Sequence, residues 1–204
     1  MSDYFIFGTG QFAELLGHTL IDEKKIKQKN IFYISDKKIN KKNYIYEKEF
    51  FSFNKKNISV YLAIGNIQIR DKILKKLLKK KYKFPNFISK SSTIMKKCRI
   101  GMGNIILPNS TILSPVKIQD FNIIGTGSII LHHCKIESNC LIGGGSLIGA
   151  GTKVKKNTFI GVGATIGSLN VKIGCNSFIS SGSVVLNNVP NNAKFIGNPA
   201  RKIL

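Results

Sequence analysis

From residue 93 onward one apolar position returns every six residues. Ile94, Ile100, Ile106, Ile112, Ile118, Ile124, Ile130, Ile136, Ile142, Ile148, Val154, Ile160 and Ile166 form twelve unbroken steps. After a slip of one residue the count resumes at Ile173, Ile179 and Val185. Four places after each aliphatic stands a small or modest residue and never a charge: Cys98, Asn104, Ser110, Val116, Asn122, Ser128, Cys134, Cys140, Ser146, Thr152, Thr158, Ala164. Helices repeat near 3.6 residues and half-buried strands at 2, so neither explains a period of six. The spacing predicts a β-solenoid with one hexapeptide per side and three sides, roughly eighteen residues, per coil. The aliphatic and the small residue both point inward, and the glycine that often follows the aliphatic (Gly101, Gly125, Gly143, Gly149, Gly161, Gly167, Gly174) is read as relieving a tight corner. A sandwich of short strands is the competing architecture, but its strands alternate and vary in length. At 167–171 one residue is added, which predicts a bulge, and the tail from Val189 breaks the period and is expected to fold back over the last coils.

The first 86 residues follow a different pattern. Apolar runs at 4–7, 31–34 and 59–64 read as strands; 11–21 and 67–81 read as helices. Phe12, Leu15, Leu16, Thr19 and Leu20 suit one buried helix face, and Ile69, Ile73, Leu74, Leu77 and Leu78 another. Residues 37–57 are polar and basic apart from Phe50, Phe51 and Phe53. The result is a small βαβαβ domain with a parallel sheet over 1–86, Pro85 marking its end, and a solenoid domain over 87–204. Gly8-Thr9-Gly10-Gln11 sits at a strand-to-helix turn, where backbone amides can approach a phosphate or sugar. The match to GxGxxG is partial, since Ala13 takes the third place, and a plain tight turn is the alternative. Asp36 ends the second strand, where an acid often meets a ribose or base, and otherwise caps a turn; Gly65-Asn66 closes the third.

Composition adjusts this picture in two ways. The net charge is +22, but the excess is spread: 19 Lys and Arg against 8 Asp and Glu before residue 87, and 13 against 2 after it. Only Arg70, Arg99 and Arg201 are arginine, the residue that reads base edges best, so nucleic acid is not expected as the partner. A positive field favours anionic substrates instead. No apolar run approaches the roughly 20 residues of a membrane span, and MSDYFIFGTG carries no basic leader before its apolar run, so a cytoplasmic location without membrane insertion is expected. Four cysteines show no CxxC pair; three of them fall on inward sites and are expected to be reduced and buried.

The hexapeptide run with its tail FIGNPARKIL resembles the left-handed β-helix acyltransferases. YFIFGTGQFAELL, AIGNIQIRDKI and IILHHC narrow the resemblance to the sialic acid O-acetyltransferase and UDP-4-amino-sugar N-acetyltransferase group. That resemblance implies a Rossmann-like α/β domain followed by an all-β left-handed parallel β-helix, a homotrimer, acetyl-CoA as co-substrate and a nucleotide-linked amino sugar as acceptor. It places the catalytic histidine at His132, with His133 where the family has an orienting acid and Leu141 where a second histidine often meets acetyl-CoA. Gln11 replaces a glycine of the nucleotide loop. Acetyl-CoA is expected along Leu141, Gly143, Ala150, Gly151, Val162, Gly167 and Ser168, with Lys172 or Arg201 near its phosphates; Gly8, Thr9, Gly10, Gln11, Asp36, Gly65 and Asn66 would line the nucleotide-sugar crevice. The expected chemistry is direct attack of the amine on the thioester, with His132 as general base and a backbone N–H from a glycine-rich corner holding the oxyanion. Adjacent side chains are expected to diverge, so His132 and His133 should not aim into one cleft, and with His18 outside the solenoid no three-histidine zinc site is expected. The acceptor atom, N or O, stays open, as does a non-catalytic nucleotide-sugar-binding scaffold.

Overall fold

The computed structural model describes residues 3–53, 58–167 and 170–203, in two compact units, Met1–Pro85 and Asn86–Leu204. The first unit is a four-stranded sheet. Its strands are β1 (Tyr4–Phe7), β2 (Ile31–Ser35), β3 (Tyr44–Tyr46) and β4 (Ser59–Leu62), in the order β3-β2-β1-β4 and parallel throughout. Helix α1 (Gln11–Lys24) follows β1, α2 (Glu47–Ser52) follows β3 and α3 (Ile67–Leu77) follows β4. The polar stretch therefore holds a strand and a short helix that its composition hid. Tyr44 and Tyr46 are half-buried edge residues, and Phe50 alone brings α2 into the core. Phe50 is fully buried against Phe5, Phe7, Phe51, Phe53 and Tyr82, with ring centroids 5.0–6.0 Å apart.

Both long helices bury part of the expected face, Leu16 and Leu20 in α1 and Ile73, Leu74 and Leu77 in α3, with the rest of it shifted. In α1 the covered residues are Ala13, Leu16, Gly17 and Leu20, whereas Leu15 is 44% exposed. Small residues win because the helix lies close to the sheet: a Cβ on Gly17 would overlap the Tyr33 hydroxyl, and Ala13 already approaches the Cβ position of Gly8. In α3 the buried set is Ile67, Arg70, Ile73, Leu74 and Leu77, with Ile69 and Leu78 half exposed.

The second unit is the expected solenoid, with the expected register. Each hexapeptide gives a two-residue strand ending on the inward aliphatic, from Phe87–Ile88 to Val184–Val185. The strands stack into three parallel sheets of eight, six and five strands, the eight including the C-terminal hairpin. Partners lie eighteen residues apart, as in Lys117↔Lys135 and Ile123↔Leu141, and nineteen apart across the added residue, as in Lys153↔Lys172. Ile106 to Val185 form one apolar column with Val116, Cys134, Cys140, Ala164 and Val171.

The corners differ from expectation. The glycine after the inward aliphatic is not the residue with a left-handed backbone. That residue stands two places later, at Gly103, Asn109, Phe121, Gly127, His133, Asn139, Gly145, Gly151, Asn157, Gly163, Asn176 and Gly182, with φ between 55° and 73°. The glycine after the aliphatic answers instead to the neighbouring coil. A Cβ on Gly143 would stand 2.5 Å from Val162 N, and at Gly125, Gly149, Gly161 and Gly174 it would meet backbone as closely or closer.

Each corner has its own column of side chains. Where the five-strand sheet passes to the eight-strand sheet, Asn139 donates to Asn157, Asn157 to Asn176 and Asn176 to Asn192, amide N–H to amide oxygen, at 2.9, 3.1 and 3.0 Å. Behind them Asn86, Asn104 and Asn122 each accept, at 2.8 Å, from the backbone N–H of the next coil. At the following corner Ser110, Ser128 and Ser146 hydroxyls each donate to carbonyls of their own coil and the next, within 3.1 Å. Apart from Asn139 Oδ1, which is buried without a partner among the described residues, these columns satisfy polar groups whose burial would otherwise be expensive. The tail does not fold back over the coils. Lys194–Gly197 extends the eight-strand sheet in parallel beside Phe178–Ile179, and Ala200–Lys202 returns antiparallel to it. Ala193 and Ala200 are buried with the core column, which closes that end.

Candidate active site

His132 and His133 lie at the corner where the six-strand sheet (Ile129–Ile130) turns into the five-strand sheet (Lys135–Ile136). Ile130 and Cys134 on either side are buried, so the two histidines form the outer surface, and both are exposed. The backbone is fixed by its neighbours. His133 N donates to Pro115 O at 2.6 Å in the coil before, and His132 O accepts from Gly151 N at 3.0 Å in the coil after.

The rings do not diverge as expected. His132 Nδ1 and His133 Nδ1 are 2.8 Å apart, with ring centroids at 5.0 Å and planes at 90°. The reason is the left-handed corner: at φ 62° the His133 side chain swings back towards its predecessor. His is one of the few side chains enriched in that conformation. Of two facing Nδ1 atoms one must carry the hydrogen. When His132 donates, its Nε2 is left as an outward-facing base and His133 takes the orienting place.

Beneath the pair, burial pushes the Cys134 thiol up to about 11, against smaller opposing contributions from the Thr152 and Gly151 backbone. The thiolate is the nucleophilic form, so this buried thiol is a core residue. All four cysteines are free; Cys98 is half-buried rather than buried, because it sits in the first coil. No group of three His, Cys, Asp or Glu able to hold a metal occurs among the described residues.

The residues expected to hold acetyl-CoA fall in two groups. Ala150, Gly151 and Gly167 stack on the same corner as His132, and Lys172 opens the strand that leaves it. Asn170 N reaches Ala150 O at 3.4 Å across the added residue; Ser168 lies outside the described residues. Leu141, Gly143 and Val162 belong instead to the eight-strand sheet and the corner that follows it, and Arg201 to the terminal hairpin beside that sheet. Lys172 and Arg201 therefore stand on different faces. Val162 is 63% exposed, whereas Gly143 is buried beneath the next coil.

In the first unit the expected crevice residues do gather at one edge. The loops after β1, β2 and β4 carry Gly8-Thr9-Gly10-Gln11, Asp36 and Gly65-Asn66, and the three strands are neighbours in the sheet. Gly8 is required there. Its φ is 128° and a Cβ would stand 2.5 Å from Ala63 O. Gly10 and Gly65 have open space where a side chain would go, so packing does not demand glycine at either. Ser35 Oγ accepts from Lys37 N at 3.1 Å, which shapes the turn and leaves Asp36 exposed. Asn66 caps α3 through Oδ1, accepting from Ile69 N at 3.0 Å. His18 is exposed on α1 and borders a hollow of about 410 Å³ with Glu14, Lys41 and the stacked rings of Tyr33 and Tyr44. The opening residues of β2 and β3 line that hollow, which sequence reasoning missed.

Residues 115–150 match the family described as bacterial transferase hexapeptide (six repeats). No curated protein sequence matches the chain. Solved structures similar to it include WeeI from Acinetobacter baumannii, with 22% identity, complete coverage of both chains (100% and 100%) and a TM-score of 0.91. The acetyltransferase domain of PglB from Neisseria gonorrhoeae has 19% identity, 100% coverage of both chains and a TM-score of 0.89. PerB from Caulobacter crescentus, solved with CoA and GDP-perosamine, has 23% identity, coverage of 99% of this chain and 97% of that one, and a TM-score of 0.84. At such identities the likeness is one of fold: a small parallel α/β unit followed by a left-handed parallel β-helix of hexapeptide repeats.

Proposed function

We propose that the protein is an acetyl-CoA-dependent N-acetyltransferase acting on a nucleotide-linked amino sugar, of the UDP-4-amino-sugar type used in surface glycan synthesis, with His132 as general base. The observation that carries this reading is the 2.8 Å contact between His132 and His133 on an exposed corner of a hexapeptide β-helix. In the proposed reaction the neutral amine attacks the thioester carbonyl carbon. His132 Nε2 takes its proton while His132 Nδ1–H donates to His133 Nδ1, which orients the ring and shares the developing charge. The tetrahedral oxyanion, held by a backbone N–H of a glycine-rich corner, collapses and expels the CoA thiolate, which takes up the proton. The loops carrying Gly8, Gly10, Asp36, Gly65 and Asn66 would hold the nucleotide, because ligands of open parallel sheets bind beyond the carboxyl ends of the strands.

The two groups of acetyl-CoA residues suit a cleft completed by a second copy. We therefore propose a homotrimer, as a cytoplasmic enzyme. The six-strand face, like the eight-strand face, suits self-association, since its outward positions Thr93, Thr111, Ile129, Leu147, Thr165 and Val184 are all uncharged. Light scattering of the purified chain at micromolar concentration should give three times 22.6 kDa. A clean monomer would sink the shared site.

The function is tested by thiol release from acetyl-CoA with a panel of amino-sugar nucleotides and their hydroxyl counterparts. Turnover confined to the amines supports the proposal. Turnover with hydroxyl acceptors would make the protein an O-acetyltransferase, and nucleotide-sugar binding without turnover would make it a scaffold. Asp36→Ala should weaken nucleotide-sugar binding and spare acetyl-CoA, as read by calorimetry. Equal loss of both would place the nucleotide elsewhere.

A further inference from the structure

The outward position at the start of each solenoid strand differs between the faces. On the eight-strand face it is held by Phe87, Ile105, Ile123, Leu141, Phe159 and Phe178, and on the six-strand face by threonines and aliphatics. On the five-strand face it is Arg99, Lys117, Lys135, Lys153 and Lys172: a cation on every rung. The register pairs them directly, Arg99 with Lys117, Lys117 with Lys135, Lys135 with Lys153 and Lys153 with Lys172. Four are exposed and Lys153 is half-buried. At the inter-strand spacing of about 4.8 Å the column is about 19 Å long.

The fold gains nothing from this. Lysine is a poor strand residue, and like charges directly opposite one another in a sheet are destabilising. The two acids between residues 87 and 204 do not relieve it. Asp120 Oδ1 accepts from Met102 N at 2.9 Å, and Glu137 pairs with Lys155 at 2.8 Å in the neighbouring column. A costly feature repeated through an otherwise consistent pattern marks a surface kept for a partner.

We propose that the five-strand face docks on an anionic phospholipid surface. The column is straight and lies on a sheet face, so its cations can meet a plane of phosphates together. The other outward column of this face is Gly101, Gln119, Glu137, Lys155 and Gly174, with no aromatic ring on which an unpaired base could stack. Only Arg99 among the five is suited to bidentate readout of bases. A two-fold contact with a second copy of the chain is disfavoured, because it would set one cation column against another. The attachment is peripheral, consistent with the absence, among the described residues, of a helix long and apolar enough to cross a membrane. The inference does not depend on the proposed acetyl transfer.

The test is co-sedimentation of the full chain with vesicles of phosphatidylcholine containing 30% phosphatidylglycerol, roughly the charge density at which each added lysine strengthens binding several-fold. Binding is expected to the anionic vesicles and not to phosphatidylcholine alone, and to fall steeply as salt is raised. Because the whole chain is basic, the deciding comparison holds net charge constant. K117Q, K135Q and K153Q together should weaken binding on the order of 100-fold, while K79Q, K80Q and K81Q together, in the first unit, should weaken it several-fold at most. K135Q alone, expected to lose about fivefold, carries the comparison should the triple variant fail to fold. Equal losses in the two triple variants, no preference for anionic vesicles, or binding of a single-stranded RNA oligomer that depends on the column without any vesicle binding would each overturn the proposal.

Discussion

Replacing His132 by alanine is expected to lower kcat by about 10²–10⁴-fold, the usual loss on removing a general base, while KM for either substrate changes little. The partner needs a more careful substitution than alanine. His133 holds a left-handed corner at φ 62°, so alanine there would strain the backbone as well as remove the imidazole. Asparagine occupies the equivalent corner position at 109, 139, 157 and 176 in this same chain, and glycine does so at 127, 145 and 163. His133→Asn keeps the corner and an acceptor oxygen and should retain most activity. His133→Gly keeps the corner without the acceptor and should lose about tenfold, within the range by which orienting a base is felt. Steady-state kinetics on the three variants decides between them. If His133→Gly abolishes turnover and His132→Ala is mild, the base is the second histidine.

The second large effect concerns stability. Ile142 is fully buried in the middle of the solenoid and stacks between Ile124 and Ile160. Ile142→Ala should cost about 2–5 kcal/mol, since stacked rungs cannot close on the cavity without breaking their ladder bonds. Gly143→Ala, one residue on, fails for the opposite reason. Its Cβ would press on Val162 N and the Gly161 carbonyl, which are backbone and tied to the rung, at a cost of about 1–3 kcal/mol. Urea unfolding of both variants measures this. A loss below about 1 kcal/mol for Ile142→Ala would mean that the rungs slide together, contrary to the close packing usual in protein cores.

The solenoid was legible because one physical constraint repeats in it: an inward aliphatic at Ile94 must be matched by one at Ile100, and so on to Val185. Register, strand positions and buried small residues all follow from that. The corners were not legible, because glycine serves there for two reasons. At Gly143 it yields to the next coil and at Gly145 it supplies the left-handed turn, and Asn139 or His133 can fill the second role but not the first. The pairing of His132 with His133 was lost for the same reason, since it depends on one dihedral angle. In the first unit the parallel order and the gathering of Gly8, Asp36 and Asn66 at one edge followed from the strand and turn pattern. Strand β3 and helix α2 did not, because short elements held by a few aromatics leave no periodicity. Leu15 and Ala13 exchanged places because contact distance to the sheet, not hydrophobicity, decides what fits beneath a helix.

The eighteen-residue register makes length in the solenoid a quantised property. Adding or removing one full coil would move the terminal hairpin by a single step of about 4.8 Å along the axis and leave every side chain on its own face. Adding six residues would keep the same inward and outward pattern but carry each later residue round to the next face, so the cation column would break and continue on a different side. The single added residue at 167–171 shows the third possibility, in which the register is handed on unchanged, from Lys153 to Lys172. The distance between the histidine corner and the terminal hairpin can therefore change by whole coils while the chemistry of the corner stays as it is.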